Sequence, residues 1–212
     1  GPAVRRLAER EGARRIERPL HIGRLGIHLL RGRIVVEDVR IDGLVPEDRP
    51  FFVGRHISLS LDWSRVVAQR PEFIITSVEM TDWDMLVEKW QGGRHNFIKV
   101  TSNQPAGPAG PRRFVTTLQY LRAWRGQFSY EDHESPWSIV APNLEITVSN
   151  LPKYHGEATF NGGLVRIQQF VPMWANMKAR FTVDGSRLRM EHIALDTDGA
   201  VSEAVGDIDM AH

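Results

Sequence analysis

Alternation of apolar and polar residues is the feature that most constrains the fold of this chain. Residues 57–63 alternate without interruption, and residues 83–89, 144–149 and 187–190 do so almost as regularly. Because neighbouring side chains of a β-strand point to opposite faces, this period of two predicts strands with one apolar and one polar face. The chain is therefore expected to form a sheet that meets water on one side only.

Short turn signals separate these runs. Asp42-Gly43, Gly92-Gly93 and Asn161-Gly162 are typical of tight turns, and no helical pattern of about 12 residues lies between the strands. This spacing favours antiparallel hairpins over βαβ units. We expect a mainly β fold of the α+β class, built on a curved, largely antiparallel sheet with short helices and one N-terminal helix.

Two segments share one strand pattern and both shift phase in the middle. Residues 33–42 and 187–196 carry similar residues in the same frame, and the apolar positions move by one across Glu37-Asp38 and Glu191-His192. Such a shift predicts a β-bulge or a bend in the strand. A bend that recurs along a sheet would give it curvature.

The chain divides into four predicted parts. A basic helix covers residues 3–19, a first β unit covers 20–101, a flexible Pro/Gly loop covers 102–113, and a second β unit covers 114–212. Residues 63–69 are expected to make one or two helical turns.

The predicted N-terminal helix is rich in arginine. Its apolar stripe is thin, with Val4, Leu7 and Ile16, so it needs a surface to lie on. The positive charge fits a solvated helix face or an anionic membrane surface. Nucleic acid is not expected as a partner, because the net charge of the whole chain is only +1 and no aromatic residues interleave with the arginines. The candidate membrane-surface residues are Arg5, Arg6, Arg10, Arg14, Arg15 and Arg18.

The sequence offers little for catalysis. It has no cysteine and none of the nucleotide-binding, metalloprotease or nucleophile-elbow motifs. The polar run 130–134 could offer ligands to a metal, and Asp82 with Asp84 could form a glycosidase pair. Neighbouring side chains of a strand point to opposite faces, however, so the residues of the run 130–134 would not converge on a metal. The Asp82 and Asp84 carboxylates would lie on an exposed face, with no apolar pocket to raise the pKa of either. We therefore expect a protein that is not an enzyme and has no metal site, no cofactor and no catalytic residue. A hydrolase that uses Asp82 or the 131–134 cluster is the less favoured hypothesis.

The chain has more large apolar residues than a thin sheet requires. It contains six tryptophans, and residues 170–177 form a run of mostly apolar side chains. These residues either fill a core beneath a packed helix or leave an apolar face that accepts a lipid chain, a task for which methionine and aromatic side chains are well suited. The candidate lipid-groove residues are Ile34, Val36, Val39, Ile41, Ile57, Leu59, Leu61, Trp63, Met85, Val87, Ile146, Val148, Met190 and Leu195.

Several stretches resemble the AsmA-like proteins of Gram-negative envelopes, the family with TamB-like members. The residues that carry the likeness are 22–25 with 30–41, 50–52 with 57–63 and 74–80, the Gly-x-x-Asn turn in 93–97, and 126–132 with 143–148. The resemblance implies a repeating β-groove with an apolar inner face and no catalytic residue. It also implies a periplasmic location, with the full-length protein anchored to the inner membrane and this chain forming its N-terminal periplasmic part.

Two functions follow as expectations. The first is a lipid-binding module, with phospholipid as the partner, that supports phospholipid transport between the inner and outer membranes or outer-membrane biogenesis. The second is a scaffold whose exposed sheet edge pairs with a strand of an outer-membrane protein.

Overall fold

The computed structural model describes residues 1–66, 73–98, 114–150, 153–184 and 187–209. The predicted loop 102–113 lies outside the described residues, as do positions 67–69 of the predicted helical turns. Those turns are confirmed at α2, Trp63–Val66.

Strands dominate the described part of the chain. The helix α1 spans Pro2–Ile16, and short 3-10 turns lie at Leu29–Arg31 and Gln91–Gly93. The strands are β1 Leu20–His28, β2 Arg33–Ile41, β3 Phe52–Leu61, β4 Phe73–Lys89, β5 Phe114–Asp132, β6 Trp137–Asn150, β7 Tyr154–Ile167, β8 Met173–Asp184, β9 Arg187–Thr197 and β10 Ala200–Asp209.

In the described ranges these strands form one sheet in sequential order from β1 to β10, with β1 and β10 at opposite edges. The mainly β, curved, unclosed and mostly antiparallel sheet with an N-terminal helix confirms the predicted fold class.

One strand pair departs from the predicted hairpin pattern. β4 and β5 are parallel, with Phe73 opposite Phe114 and Lys89 opposite Asp132. A parallel neighbour requires the connection to carry the chain back along the full strand, which a tight turn cannot do. The two predicted β units meet at this pair and share one continuous sheet.

The strands bend where backbone conformation turns left-handed. Asp38, Asp82, Arg125 and Asn143 have φ angles between 51° and 56°, and Asp38 and Asp82 occupy matching positions on either side of Arg55. A left-handed residue interrupts the alternation, so Val36 and Val39 face the same side although they are three residues apart. This confirms the bend predicted at Glu37-Asp38.

The second predicted bend is also present. In the pairing of β8 with β9, Arg180 lies opposite His192 and Phe181 lies opposite Met190, so Glu191 has no partner. This extra residue is a β-bulge, and it preserves the apolar side of β9 on both sides of the irregularity.

The hydrophobic core lies on one side of the sheet, which we call the inner face. Aromatic rings there lie over glycines of the same or adjacent strands: the Trp83 indole covers Gly126, and the Phe181 ring covers Gly156. Glycine is needed at such positions because a side chain would occupy the space of the ring. The buried core cluster consists of Val39, Phe51, Phe52, Trp83, Val87, Ala123, Ala141, Leu144, Phe160 and Ala175.

Helix α1 lies along the free edge of β1. The Arg5 Nη1 donates to the carbonyl oxygen of Gly23 at 2.9 Å, and the backbone N–H of Ile22 donates to Glu9 Oε1 at 2.8 Å. Side chains thus satisfy backbone groups that an edge strand would otherwise leave unpaired. Of the predicted apolar stripe, Val4 and Leu7 are exposed and Ile16 is half-buried. In the described ranges, no helix has the length and apolar character needed to cross a membrane.

Candidate lipid-binding face

The strand register places the predicted groove residues of β2 and β3 on the inner face. Residues directly opposite each other in a ladder share a face. Ile34 lies opposite Leu59, and Val36 lies opposite Ile57. Beyond the bend, Ile41 lies opposite Phe52, which belongs to the buried core cluster.

The same face continues through the remaining strands. Met85 lies opposite Phe52 on β3 and Phe128 on β5, and Ile146 lies opposite Ala123 and Ala158. Further groove pairs, in the order of the strands, are Val87 with Tyr130, Val148 with Leu121, Met190 with Phe181, and Leu195 with Met177. Leu20 of β1 lies opposite Ile41 and packs against the core cluster, so one apolar surface extends from β1 to β9.

Trp63 is the predicted groove residue that lies outside the strands. β3 ends at Leu61, and Trp63 begins α2. The alternating sequence pattern extends two residues beyond the strand because Asp62 ends it: its carboxylate accepts hydrogen bonds from the backbone N–H and the hydroxyl of Ser64. This is the hydrogen-bonding pattern of a helix start.

The described elements cover the inner face only in part. Of the predicted groove residues, Val39, Leu61 and Val87 are buried at 7% exposure, whereas those in the middle of the sheet, such as Ile57 and Ile146, are half-buried. Helix α1 packs against β1 and α2 against β4, and no described element forms a second layer over the sheet.

The chain closes part of the inner face at one end. Phe51 and Ile98 join the core cluster there, and the Phe51 and Phe97 rings meet edge to face at 6.1 Å. The buried Asn96 holds this covering segment in place: its Oδ1 accepts from the Glu88 N–H at 2.7 Å, and its Nδ2 donates to the Leu86 carbonyl at 2.8 Å. The open part of the face is therefore the stretch beyond this covered end.

The sequence pattern did not reveal all the apolar residues of this face. Met80, Leu121, Phe128 and Tyr130 also pack against the core cluster. In β5 the left-handed Arg125 separates Leu121 and Ala123 from Phe128 and Tyr130, so no continuous period of two runs through the strand. The only sequence signal for the apolar side of β5 was a pair of short alternating stretches, one on each side of the shift in phase.

The opposite, outer face is polar. Arg125 forms a bidentate pair with Asp82, at 2.9 and 2.8 Å, and Arg122 pairs with Glu145 at 3.0 Å. The hydrogen bond from Arg125 lowers the pKa of the Asp82 carboxyl, while burial raises the pKa of the neighbouring Asp84 carboxyl. The two members of the proposed glycosidase pair therefore lie on the solvated side, with Asp82 held by a guanidinium.

The polar run 130–134 meets residues that are distant in sequence. Ligand atoms of Glu88, Glu131 and His133 lie within 4.8 Å of one another, the arrangement expected of a cation site. Arg49 lies among them and contacts both Glu88 and Glu131 at 2.6 Å. Its hydrogen bond lowers the pKa of the Glu131 carboxyl. The guanidinium thus supplies the positive charge that these carboxylates require, and the cluster ties the loop carrying Arg49 to β4 and β5.

The six candidate membrane-surface arginines divide into two groups. Arg5 and Arg18 bond to backbone carbonyls within the protein, with Arg18 Nη2 donating to the Asn96 oxygen at 2.9 Å. Burial lowers the pKa of Arg18. The four exposed members of the set are Arg6, Arg10, Arg14 and Arg15.

No protein-family model matches this chain, and a comparison with curated proteins likewise gives no match. The functional argument therefore depends on the geometry of the inner face.

Proposed function

We propose that this protein is a non-enzymatic module whose inner face binds lipid acyl chains. The observation that carries the proposal is an apolar face, continuous over nine strands, whose central residues are only half-buried. A face of this extent is unusual on the surface of a soluble monomer unless something binds to it. Its methionines, including Met80, Met85 and Met177, can adjust to a flexible hydrocarbon chain.

The energetics favour a lipid guest. Burial of one CH₂ group contributes about 0.8 kcal/mol, so a chain of about 16 carbons gains on the order of 12 kcal/mol before the cost of ordering it. Nine spacings of about 4.8 Å between ten strands give a sheet roughly 43 Å wide, which accommodates a whole chain. The outer face with its ion pairs remains in water while the inner face is occupied.

The cellular role is part of the same proposal. The resemblance to AsmA-like proteins favours a periplasmic module, anchored to the inner membrane in the full-length protein, that supports phospholipid transport between the inner and outer membranes or outer-membrane biogenesis. The exposed arginines of α1 are suited to contact with anionic headgroups at the inner-membrane surface, each contributing about 1 kcal/mol near such a surface.

The test is native mass spectrometry of the protein purified from cells, compared with single variants of the inner face. Leu59→Glu and Ile146→Glu place a charge where the acyl chain would lie, and we expect both to lose co-purifying lipid. The matched control is Ser60→Glu, which lies on the other side of β3 and faces Arg33 of β2. A wild-type protein without lipid would contradict the proposal. So would equal lipid content in all variants, provided circular dichroism shows a folded sheet.

A second candidate function depends on the far edge of the sheet. β10 pairs with β9 on one side, and among the described residues no element covers its other side. Such an edge can accept an extended strand of an outer-membrane protein. Backbone groups of adjacent residues point in opposite directions, so only one of Ser202→Pro and Glu203→Pro removes an outward N–H. Strand capture predicts that one of these variants weakens binding of an extended peptide more than the other.

A further inference from the structure

The turn between β7 and β8 projects apolar side chains into solvent. Phe170 is 72% exposed and Val171 84%, while Trp174 at the start of β8 is 59% exposed. The sequence suggested that residues 170–177 fill the core or hold lipid on the inner face. Only part of the run does so: Ala175 is in the core and Met177 packs against it, whereas the first residues lie beyond the end of the sheet. We call Phe170, Val171 and Trp174 the hairpin tip.

The charge of this hairpin complements an anionic surface. Residues 167–177 contain no charged residue. Residues 158–183 contain no Asp or Glu, and their charged residues are Arg166, Lys178 and Arg180. The hairpin therefore presents an uncharged apolar end with three positive charges set back along its strands. A membrane interface favours this arrangement, because apolar and aromatic groups enter the acyl boundary and cations remain among the headgroups.

The backbone holds the tip in this projecting position. The Gln168 N–H donates to the carbonyl oxygen of Pro136, in the neighbouring turn, at 2.6 Å, and the Phe170 N–H donates to the Ile167 oxygen at 3.0 Å. Gln168 itself has a φ angle of 47°. These two bonds and the left-handed residue direct Phe170 and Val171 away from the sheet. The hairpin tip therefore loses little backbone freedom when it enters a lipid bilayer.

We propose that the hairpin tip inserts into the interfacial region of a lipid bilayer and docks this end of the sheet on a membrane. Phe170 and Val171 enter the acyl boundary, and Trp174 lies at headgroup depth, where its indole N–H retains a polar partner. The neighbouring β9–β10 turn carries Asp198, which opposes attraction to anionic headgroups. Apolar insertion therefore supplies most of the binding. This docking does not require a lipid on the inner face.

The experiment is flotation of the full chain with phosphatidylcholine vesicles and with vesicles that also contain phosphatidylglycerol. The test variant is Phe170→Ser with Val171→Ser. The control is Val201→Ser with Val205→Ser in β10, because those valines are similarly exposed, at 73% and 76%, but lie outside the hairpin. We expect the hairpin variant to lose about tenfold in partitioning to both vesicles, at low and high salt, and the control to bind like wild type.

A second measurement locates the tip in the bilayer. Lipids brominated at the upper end of their acyl chains, next to the headgroups, should quench tryptophan fluorescence of the wild type, and Trp174→Phe should remove most of that quenching. The proposal is overturned if the wild type does not float, if the control loses as much binding as the hairpin variant, or if binding disappears entirely at high salt. Docking that survives Leu59→Glu would show that the tip acts independently of the inner face, whereas docking lost in that variant would refute this independence.

Discussion

The closest packing on the inner face gives a sharp prediction at Gly126. A Cβ atom at this position would overlap Trp83 Cε2 and Cζ2, well inside contact distance. Trp83 is a member of the core cluster and is only 4% exposed. Gly126→Ala must therefore displace the indole or separate β4 from β5.

The magnitude follows from the area that the indole loses. A tryptophan buries about 150–250 Å², which at about 25 cal/mol/Å² corresponds to roughly 4–6 kcal/mol for complete loss of packing. Alanine in place of glycine in a strand returns about 0.5–1 kcal/mol through the reduced entropy of the unfolded chain. We expect Gly126→Ala to lower the free energy of unfolding by about 3–5 kcal/mol, in the range of large core truncations.

The assay is urea unfolding followed by circular dichroism, with Gly206→Ala as the matched control. Gly206 is also in a strand, but a Cβ there meets no atom within 4 Å, so its substitution should be neutral or slightly stabilising. In a Trp83→Leu background the indole is absent, and Gly126→Ala should cost much less, giving a large coupling energy in the double-mutant cycle. Equal effects at the two glycines, or an unchanged cost in the Trp83→Leu background, would refute the reasoning.

Three further predictions concern individual side chains. Asn96→Ala should reduce the free energy of unfolding by about 2–4 kcal/mol in urea titration, because it leaves the buried N–H of Glu88 and the carbonyl of Leu86 without their partner; a loss below about 1 kcal/mol would count against it. Asn143 has a φ angle of 51°, so Asn143→Ala should destabilise the protein by about 1 kcal/mol in the same titration while Asn143→Gly should not, and equal effects would show that strain is not the cause. The pKa of Glu131 is lowered in the folded state, mainly by the hydrogen bond from Arg49, so its contribution is present above the unfolded pKa of about 4.3 and is lost as pH falls through the lowered folded value. The difference in urea midpoint between wild type and Glu131→Gln should therefore shrink as the solution is acidified, and a difference independent of pH would contradict this assignment.

Much of the inner face could be predicted because alternation is a local property. The residues that supply it in β2 and β3 lie within nine or ten residues of one another, and the side on which each points follows from strand geometry alone. The phase shifts at Glu37-Asp38 and Glu191-His192 even located two irregularities in advance. Trp63 shows the limit of this reasoning, because local hydrogen bonds at Asp62 end the strand although the apolar pattern continues.

What the sequence by itself determined is the apolar side of the regularly alternating strands, such as β2 and β3, and the position of two irregularities, at Glu37-Asp38 and Glu191-His192. The tertiary structure alone decided the parallel pairing of β4 with β5, the meeting of Arg49 with Glu131 across 82 positions, and the edge contact between α1 and β1. It also decided that Phe170 and Val171 lie in solvent while Met177 packs against the core. The physical reason is that a strand's faces depend on residues two apart, whereas pairing, coverage and exposure depend on which distant segments the chain brings together.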